Sequence, residues 1–91
     1  MTDYNMIIEK ANNSRKNADW KRFNSCNAWI ANMGDFSLIK SYDTIVGLAD
    51  HAKQIVYEFG KYSMTTSKQF TQICNQIFRN FKRINIGITN W

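Results

Sequence analysis

The chain has 91 residues and a hydrophobic fraction of 44%, which suffices for one compact domain and argues against a disordered chain. No stretch is apolar over the roughly 18 residues that a membrane span needs, and the N-terminus lacks the basic region of a secretory signal. The net charge of +5 is uneven: residues 1–33 contribute +2, residues 34–60 contribute −2 and residues 61–91 contribute +5. The positive field is therefore expected to concentrate at the C-terminal end.

Residues 1–25 are predicted to form an N-terminal helical segment. A short helix is expected in DYNMIIEKA, where four apolar residues would share one side, namely Tyr4, Ile7, Ile8 and Ala11. The polar stretch NNSRKN indicates a break. A further helical turn is expected in ADWKRF, because Trp20 and Phe23 stand three residues apart.

Residues 26–60 are rich in strand-forming residues and predict antiparallel strands. The stretch CNAWIANMG ends in a turn signal, Met33-Gly34-Asp35. The following stretch, FSLIKSYDTIVGLAD, is interrupted by Asp43, so it forms either two strands or one strand with a bulge. The polar turn ADHAK then leads into the alternating segment QIVYEFG. This spacing of turns is typical of a meander of three or four strands.

An amphipathic C-terminal helix is predicted over residues 66–84. Seven side chains recur along it at the helical period: Phe70, Ile73, Cys74, Ile77, Phe78, Phe81 and Ile84. Residues 85–91 form a tail that either adds a short edge strand or frays. The predicted fold class is α+β, in which a small antiparallel sheet of three to four strands packs against this helix, with a short N-terminal helix beside it.

Four hydroxyl residues crowd the start of the predicted helix, in the stretch KYSMTTSKQF. Thr66 followed by Gln69 matches a capping box, in which the threonine accepts from a backbone N–H and the glutamine reaches back. The alternative is an anion site, formed by the free N–H groups of the helix terminus, the hydroxyls and Lys68. Phosphate loops usually contain several glycines and this segment follows only Gly60, so capping is favoured.

No catalytic, metal-binding or cofactor-binding site is predicted. His51, the only histidine, stands in the turn ADHAK, where a histidine is usually solvated. Cys26 and Cys74 lack the spacing of zinc ligands, and two unpaired thiols are typical of the reducing cytoplasm. No phosphate loop, dinucleotide fingerprint or Ser–His–acid arrangement is visible, so we expect a cytoplasmic protein that is not an enzyme.

Partner binding is predicted to rest on basic side chains. No acid follows Glu58 in the sequence, which leaves the cations of the last third without acidic neighbours along the chain. Arg79, Lys82 and Arg83 either complement the helix dipole or bind a partner. The candidate residues for binding a partner or nucleic acid are Lys61, Lys68, Arg79, Lys82, Arg83, Lys21 and Arg22.

The stretches SYDTIVGLAD and KYSMTTSKQF resemble a pattern in small phage and mobile-element proteins of unassigned activity. The matching residues are Ser41, Tyr42, Thr44, Ile45, Tyr62, Ser63, Thr65, Thr66, Ser67 and Lys68. The resemblance covers residues 27–80, and Gly47 departs from it at a position where an alanine-like residue is usual. It implies a phage accessory protein that disarms a host defence such as CRISPR.

Three functions are compatible with these features. The leading one is stoichiometric binding, in the host cytoplasm, to a host protein or nucleoprotein complex such as a CRISPR effector or other defence machinery. The net charge of +5 argues against acidic DNA mimicry, so an inhibitor of this kind would contact an acidic protein surface or nucleic acid held by its target. The second is a basic nucleic-acid-binding module, with cations at phosphates and aromatic rings on bases. The third is a structural homodimer.

Overall fold

The computed structural model describes residues 4–23, 28–42, 44–60 and 64–86. Helix α1 spans Tyr4–Ser14 and leads into a 3-10 turn at Arg15–Asn17, and helix α2 spans Met64–Gln76. The strands are β1 (Lys21–Arg22), β2 (Ala28–Asn32), β3 (Phe36–Ser41), β4 (Thr44–Asp50), β5 (Ile55–Glu58) and β6 (Lys82–Asn85).

The strands β1 to β6 form one mixed sheet, in which they lie side by side in chain order. Strands β1 to β5 pair antiparallel, each with the next, whereas β6 pairs parallel with β5. A parallel neighbour cannot be reached through a tight turn, so the chain must cross over the sheet between these two strands. Helix α2 lies within that crossover.

The predicted fold class is wrong in strand number, sheet type and the position of the helix. The described residues form six strands rather than three or four, in a mixed sheet, and α2 lies between two strands rather than after the last one. The helix predicted over residues 66–84 ends at Gln76. Ile84 fits the apolar stripe of a helix, and together with Ile86 it also fits the alternating pattern of a strand. It lies in a strand because the segment pairs with the edge of β5.

The N-terminal and central predictions are partly confirmed. Helix α1 is the expected short N-terminal helix, but Lys21–Arg22 forms strand β1 where a helical turn was predicted. The long apolar stretch is two strands, β3 and β4. They are joined by a tight turn at Tyr42, whose φ of 54° lies in the left-handed region. The tail beyond Ile86 lies outside the described residues.

Each face of the sheet is covered by one helix, and we name the two faces the α1 face and the α2 face. The core of the α2 face combines strand and helix residues, among them Ile39, Val46, Ala49, Val56, Phe70, Ile73 and Phe78. The core of the α1 face includes Ala11, Leu38, Ile45, Leu48 and Tyr57, with Ile7 and Ile8 packed against them. Strands β3 and β4 are therefore buried on both sides, which explains the continuous apolar run in IVGLA.

A β-bulge in β4 adjusts the pairing between the two central strands. Ile39 pairs with Gly47, whereas Lys40 pairs with Ile45, so Val46 is the additional residue. The bulge directs Val46 into the core of the α2 face and Ile45 into the core of the α1 face. It also leaves Lys40 on the α1 face, next to Ile45.

Gly47 leaves the space that the ring of Phe70 fills. A Cβ atom added at Gly47 would stand 2.5 Å from Phe70 Cε2 and 2.9 Å from the carbonyl oxygen of Tyr57. Phe70 is only 1% exposed, so its ring has no room to move away. The ring of Phe70 therefore explains why glycine occupies this position.

We predict that Gly47→Ala destabilises the protein by about 1–3 kcal/mol, because the new methyl group overpacks the core. In a Phe70→Leu background the same change should cost clearly less, since the shorter side chain leaves room. Urea unfolding of the wild type, both single variants and the double variant measures this coupling. Equal costs of Gly47→Ala in the two backgrounds would contradict the packing described here.

Candidate functional site

Thr66, one of the four hydroxyl residues near the start of α2, faces the sheet. Because α2 begins at Met64, Thr66 is the third helical residue and not the cap, so the capping-box prediction is wrong. Thr66 is 7% exposed, and its hydroxyl lies 3.2 Å from Ser41 Oγ. The Ser41 hydroxyl donates to Gln69 Oε1 at 3.4 Å. These side chains therefore tie the end of β3 to the first turns of α2.

The anion-site alternative at this terminus loses its central hydroxyl, since Thr66 is engaged with Ser41. Of the other residues that suggested it, Ser63 lies outside the described residues, as does the side chain of Thr65. Lys68 is exposed on α2 beside Ser67. Ser67 and Lys68 line an open hollow of about 330 Å³ together with Thr71 and Gln72, and the Thr71 hydroxyl accepts there from Arg83 Nη1.

The predicted C-terminal basic patch is divided between different parts of the fold. Arg79 is exposed in the turn after α2, and Lys82 and Arg83 are neighbours in β6, whose side chains point to opposite faces. Lys61 lies outside the described residues. The helix ends at Gln76, before these residues, so none of the three lies on it.

Arg83 is bound by a buried acid, Glu58, that is distant from it in the sequence. Its Nη2 lies 3.0 Å from Glu58 Oε2, and its Nη1 donates to Thr71 Oγ1 at 3.0 Å. The guanidinium carbon also stands 5.0 Å from the centroid of the Phe70 ring. Glu58 is buried, with 8% of its surface exposed, and it accepts a further hydrogen bond from Asn85 Nδ2. Parallel pairing of β5 with β6 creates this contact across 25 positions of sequence.

The thiol of Cys74 is next to this ion pair. Burial raises the pKa of Cys74 to about 11; the charge of Arg83 acts in the lowering direction and that of Glu58 in the raising direction. Since the thiolate is the reactive form of cysteine, Cys74 is protonated and unreactive at neutral pH. It serves the core of the α2 face as a small apolar side chain.

We predict that Arg83→Ala destabilises the protein by about 2–3 kcal/mol, because it leaves the Glu58 carboxylate buried without its cation. The cost is below that of a fully buried pair, since the Arg83 side chain is 35% exposed. Arg79→Ala is the matched control and should change stability by less than about 0.5 kcal/mol. Chemical denaturation measures both. Similar values for the two variants would show that Arg83 is a surface cation like Arg79.

His51 is fixed by two hydrogen bonds and is not the solvated turn residue that was expected. Its Nε2 lies 2.8 Å from Ser37 Oγ, and its Nδ1 lies 2.9 Å from the carbonyl oxygen of Gly34. The carbonyl only accepts, so Nδ1 carries the proton and Nε2 of the neutral ring accepts from Ser37. Ser37 is 3% exposed, which keeps its hydroxyl away from any substrate. The two hydrogen bonds of His51 therefore join the turn after β4 to the turn before β3 and to β3 itself.

A row of two cations and two tryptophans crosses the α1 face at the β1 edge of the sheet. Arg22 pairs with Trp29 across β1 and β2, and Trp29 pairs with Lys40 across β2 and β3. The Lys40 ammonium stands 5.2 Å from the centroid of the Trp29 ring and 4.5 Å from that of Trp20. Arg22 stands 5.9 Å from the Trp29 centroid. We call Arg22, Trp29, Lys40 and Trp20 the cation–tryptophan row.

The row holds positive charge at a partly open surface. Trp20, Trp29 and Lys40 are half-buried and Arg22 is exposed. Among the described residues, Lys40 lies against two indole rings and forms no ion pair with a carboxylate. Each such cation–aromatic contact contributes about 0.5–2 kcal/mol, which orders the ammonium without neutralising it.

A cleft of about 590 Å³ opens on the other side of β1, on the α2 face. Its lining combines apolar, acidic, amide and basic side chains: Asp19, Lys21, Arg22, Phe23, Ile30, Asn32 and Ile77. Ile77 belongs to the predicted apolar stripe of the helix, yet it follows the end of α2 and is 48% exposed. Of the predicted binding residues, Lys21 and Arg22 are thus the two that the structure places at a cleft together.

Two further findings concern the described residues only. They contain no cluster of three or more histidine, cysteine, aspartate or glutamate side chains that could hold a metal ion. None of their helices is long and apolar enough to cross a membrane.

Sequence reasoning missed Trp20, Trp29 and Lys40 as a site. The three tryptophans were conspicuous in the sequence, but the row depends on the register of β1, β2 and β3, which no local pattern specifies. The one available signal was the pair of basic residues between two aromatic residues in the stretch from Trp20 to Phe23.

Comparison with known protein families places the chain in a family of unknown function (DUF8033), whose model matches residues 6–86. The chain therefore belongs to that family, and the match extends from within α1 to the residue after β6. No curated protein matches the chain. No solved structure matches it either.

Proposed function

We propose that this protein is a non-enzymatic binding module that holds single-stranded nucleic acid on its cation–tryptophan row. The observation that carries the proposal is Lys40, an ordered cation between two tryptophan rings whose charge is met by no described carboxylate. Proteins that bind single strands combine cations that track the phosphates with aromatic rings on which bases stack. The row supplies both groups on one face of one sheet edge.

The arrangement of the row suits an extended polyanion. Arg22 and Lys40 lie on strands that flank β2, so their backbones are separated by two strand spacings, about 10 Å. Trp29 stands between them, with its ring half-buried. Phosphates at the two cations would leave a base above Trp29. The net charge of +5 adds a general attraction for any polyanion.

A second candidate is stoichiometric inhibition of a host defence complex, of the anti-CRISPR type. It is supported by the resemblance of residues 41–68 to small phage and mobile-element proteins. The two candidates are compatible if the nucleic acid is presented by the complex, because an inhibitor with this row would contact the strand that its target holds. Binding of a purified strand by the protein alone distinguishes direct recognition from recognition of the complex.

We predict that the protein binds a 12-nucleotide thymidine oligomer, with an affinity that falls steeply as salt concentration rises. The double variant Arg22→Gln, Lys40→Met should lower affinity at least about tenfold, or ~1.4 kcal/mol. It should also reduce the slope of log K against log salt by about 1.4, since each lost phosphate contact to a single strand removes about 0.7. Methionine at position 40 keeps the packing between the indole rings. Fluorescence anisotropy at several salt concentrations measures both quantities.

The matched control carries the same chemical changes outside the row, in the turn after α2 and in β6, as the variant Arg79→Gln, Lys82→Met. Both variants lose two positive charges, so a general charge effect would weaken binding equally. We expect the control to stay within about twofold of the wild type, which is ~0.4 kcal/mol. A larger loss in the control than in the Arg22 and Lys40 variant would move the site to the C-terminal cations.

A further inference from the structure

The cleft beside β1 has the size and lining of a site for a small ligand. Its volume of about 590 Å³ falls within the range of pockets that enclose small molecules. Phe23 is 6% exposed and forms part of an apolar wall together with Ile30, while Ile77 stands at the end of α2. A flat apolar group would remove this surface from water.

The polar groups of the cleft define what the ligand must carry. Lys21 pairs with Ile30 in the sheet and therefore points to the same face as the cleft, where its ammonium supplies a cation at the rim. The Asp19 carboxylate only accepts hydrogen bonds. The Asn32 side-chain oxygen accepts from the backbone N–H of Gly34 at 2.9 Å, which leaves the amide NH₂ as a donor. The ligand thus combines an anion with a flat group that bears both donors and an acceptor.

We propose that this cleft binds one nucleotide of the strand held on the cation–tryptophan row, with its phosphate at Lys21 and its base against Phe23 and Ile77. The inference rests on the proposed function, and it adds a second contact on the opposite face of the sheet. An acidic peptide fits less well, because its acidic side chains offer no N–H donor to the carboxylate of Asp19 in the same cleft. A base instead presents N–H groups to that acceptor.

Guanine matches the polar groups best. Its Watson–Crick edge carries two adjacent N–H donors, which a carboxylate accepts side by side, and its O6 accepts from an amide NH₂ such as that of Asn32. Uracil carries a single N–H between two carbonyl oxygens, which would face the Asp19 carboxylate unfavourably. The cleft is therefore expected to select guanine, whereas stacking on the row tolerates any base.

Strand β1 connects the cleft with the row. Neighbouring residues of a strand point to opposite faces and lie about 3.3 Å apart along it. Lys21 points to the α2 face and Arg22 to the α1 face, next to Trp29. A strand that leaves the row at Arg22 therefore meets Lys21 as soon as it passes around the edge of the sheet.

The test is titration of the full-length protein with guanosine monophosphate and with uridine monophosphate, followed by NMR chemical shifts. Guanosine monophosphate should bind at least about tenfold more tightly, since only guanine offers two adjacent N–H donors to the Asp19 carboxylate. Asp19→Asn should abolish the preference, whereas the control Asp35→Asn, an exposed acid outside the cleft lining, should retain it. Ile77→Trp should block the cleft and abolish binding of both nucleotides.

The outcomes separate this inference from the proposed function. If the thymidine oligomer binds as predicted but guanosine monophosphate does not, the cleft inference is overturned and the row is unaffected. Equal binding of guanosine monophosphate to the wild type and to Ile77→Trp also overturns it. That variant is informative even if Asp19→Asn fails to fold, because Ile77 is 48% exposed and tolerates a larger side chain. Nucleotide binding without binding of the oligomer would support the cleft and contradict the row.

Discussion

The burial of β3 and β4 on both faces is the constraint on which the rest of this fold depends. A strand that is apolar on both sides needs a layer above and a layer below it. The chain supplies these layers with α1 on one face and with α2, packed through Phe70 and Phe78, on the other. Because α2 must reach the face opposite α1, it occupies a crossover, and the chain that follows it returns to the sheet as the parallel strand β6.

This constraint also determines where charge is tolerated. The two central strands contain one basic residue, Lys40, which lies near the end of β3 and contacts tryptophan. The remaining cations of the sheet lie on its outer strands, Lys21 and Arg22 in β1 and Lys82 and Arg83 in β6. Charged outer strands discourage edge-to-edge association of sheets, and basic residues stand at both edges of this one. Arg83 is bound to Glu58, whereas the β1 edge combines its cations with aromatic rings.

Sequence patterns predicted the elements whose information is local. The N-terminal helix, the two strands on either side of Tyr42 and the apolar stripe beginning at Phe70 follow from periodicity over short stretches. The end of α2 at Gln76 could not be predicted in this way, because no glycine or proline stops the helix there. Whether Ile84 lies in a helix or a strand depends on β5, which is distant in the sequence. Local propensity is a weak guide where tertiary pairing competes with it.

The candidate site was predictable only in part for the same reason. Lys21 and Arg22 were among the expected binding residues from charge alone, and the structure places them at the cleft. The meeting of Trp29 with Lys40 depends on strand register, and the pairing of Arg83 with Glu58 depends on a parallel neighbour that sequence order does not reveal. Charge counts along the chain therefore favoured the C-terminal cations, one of which has an internal partner.

The central claim is that an anionic strand lies on the cation–tryptophan row, and the indole N–H signals of an NMR titration test it most directly. Addition of the thymidine oligomer at low salt should shift the indole signals of Trp20 and Trp29 and the backbone amide of Lys40, since all three lie on the row. The backbone amide signals of Arg79, in the turn after α2, and of Lys82, in β6, should not shift, because neither residue lies on the row. Shifts confined to those two residues, with both indole signals unmoved, would contradict the account.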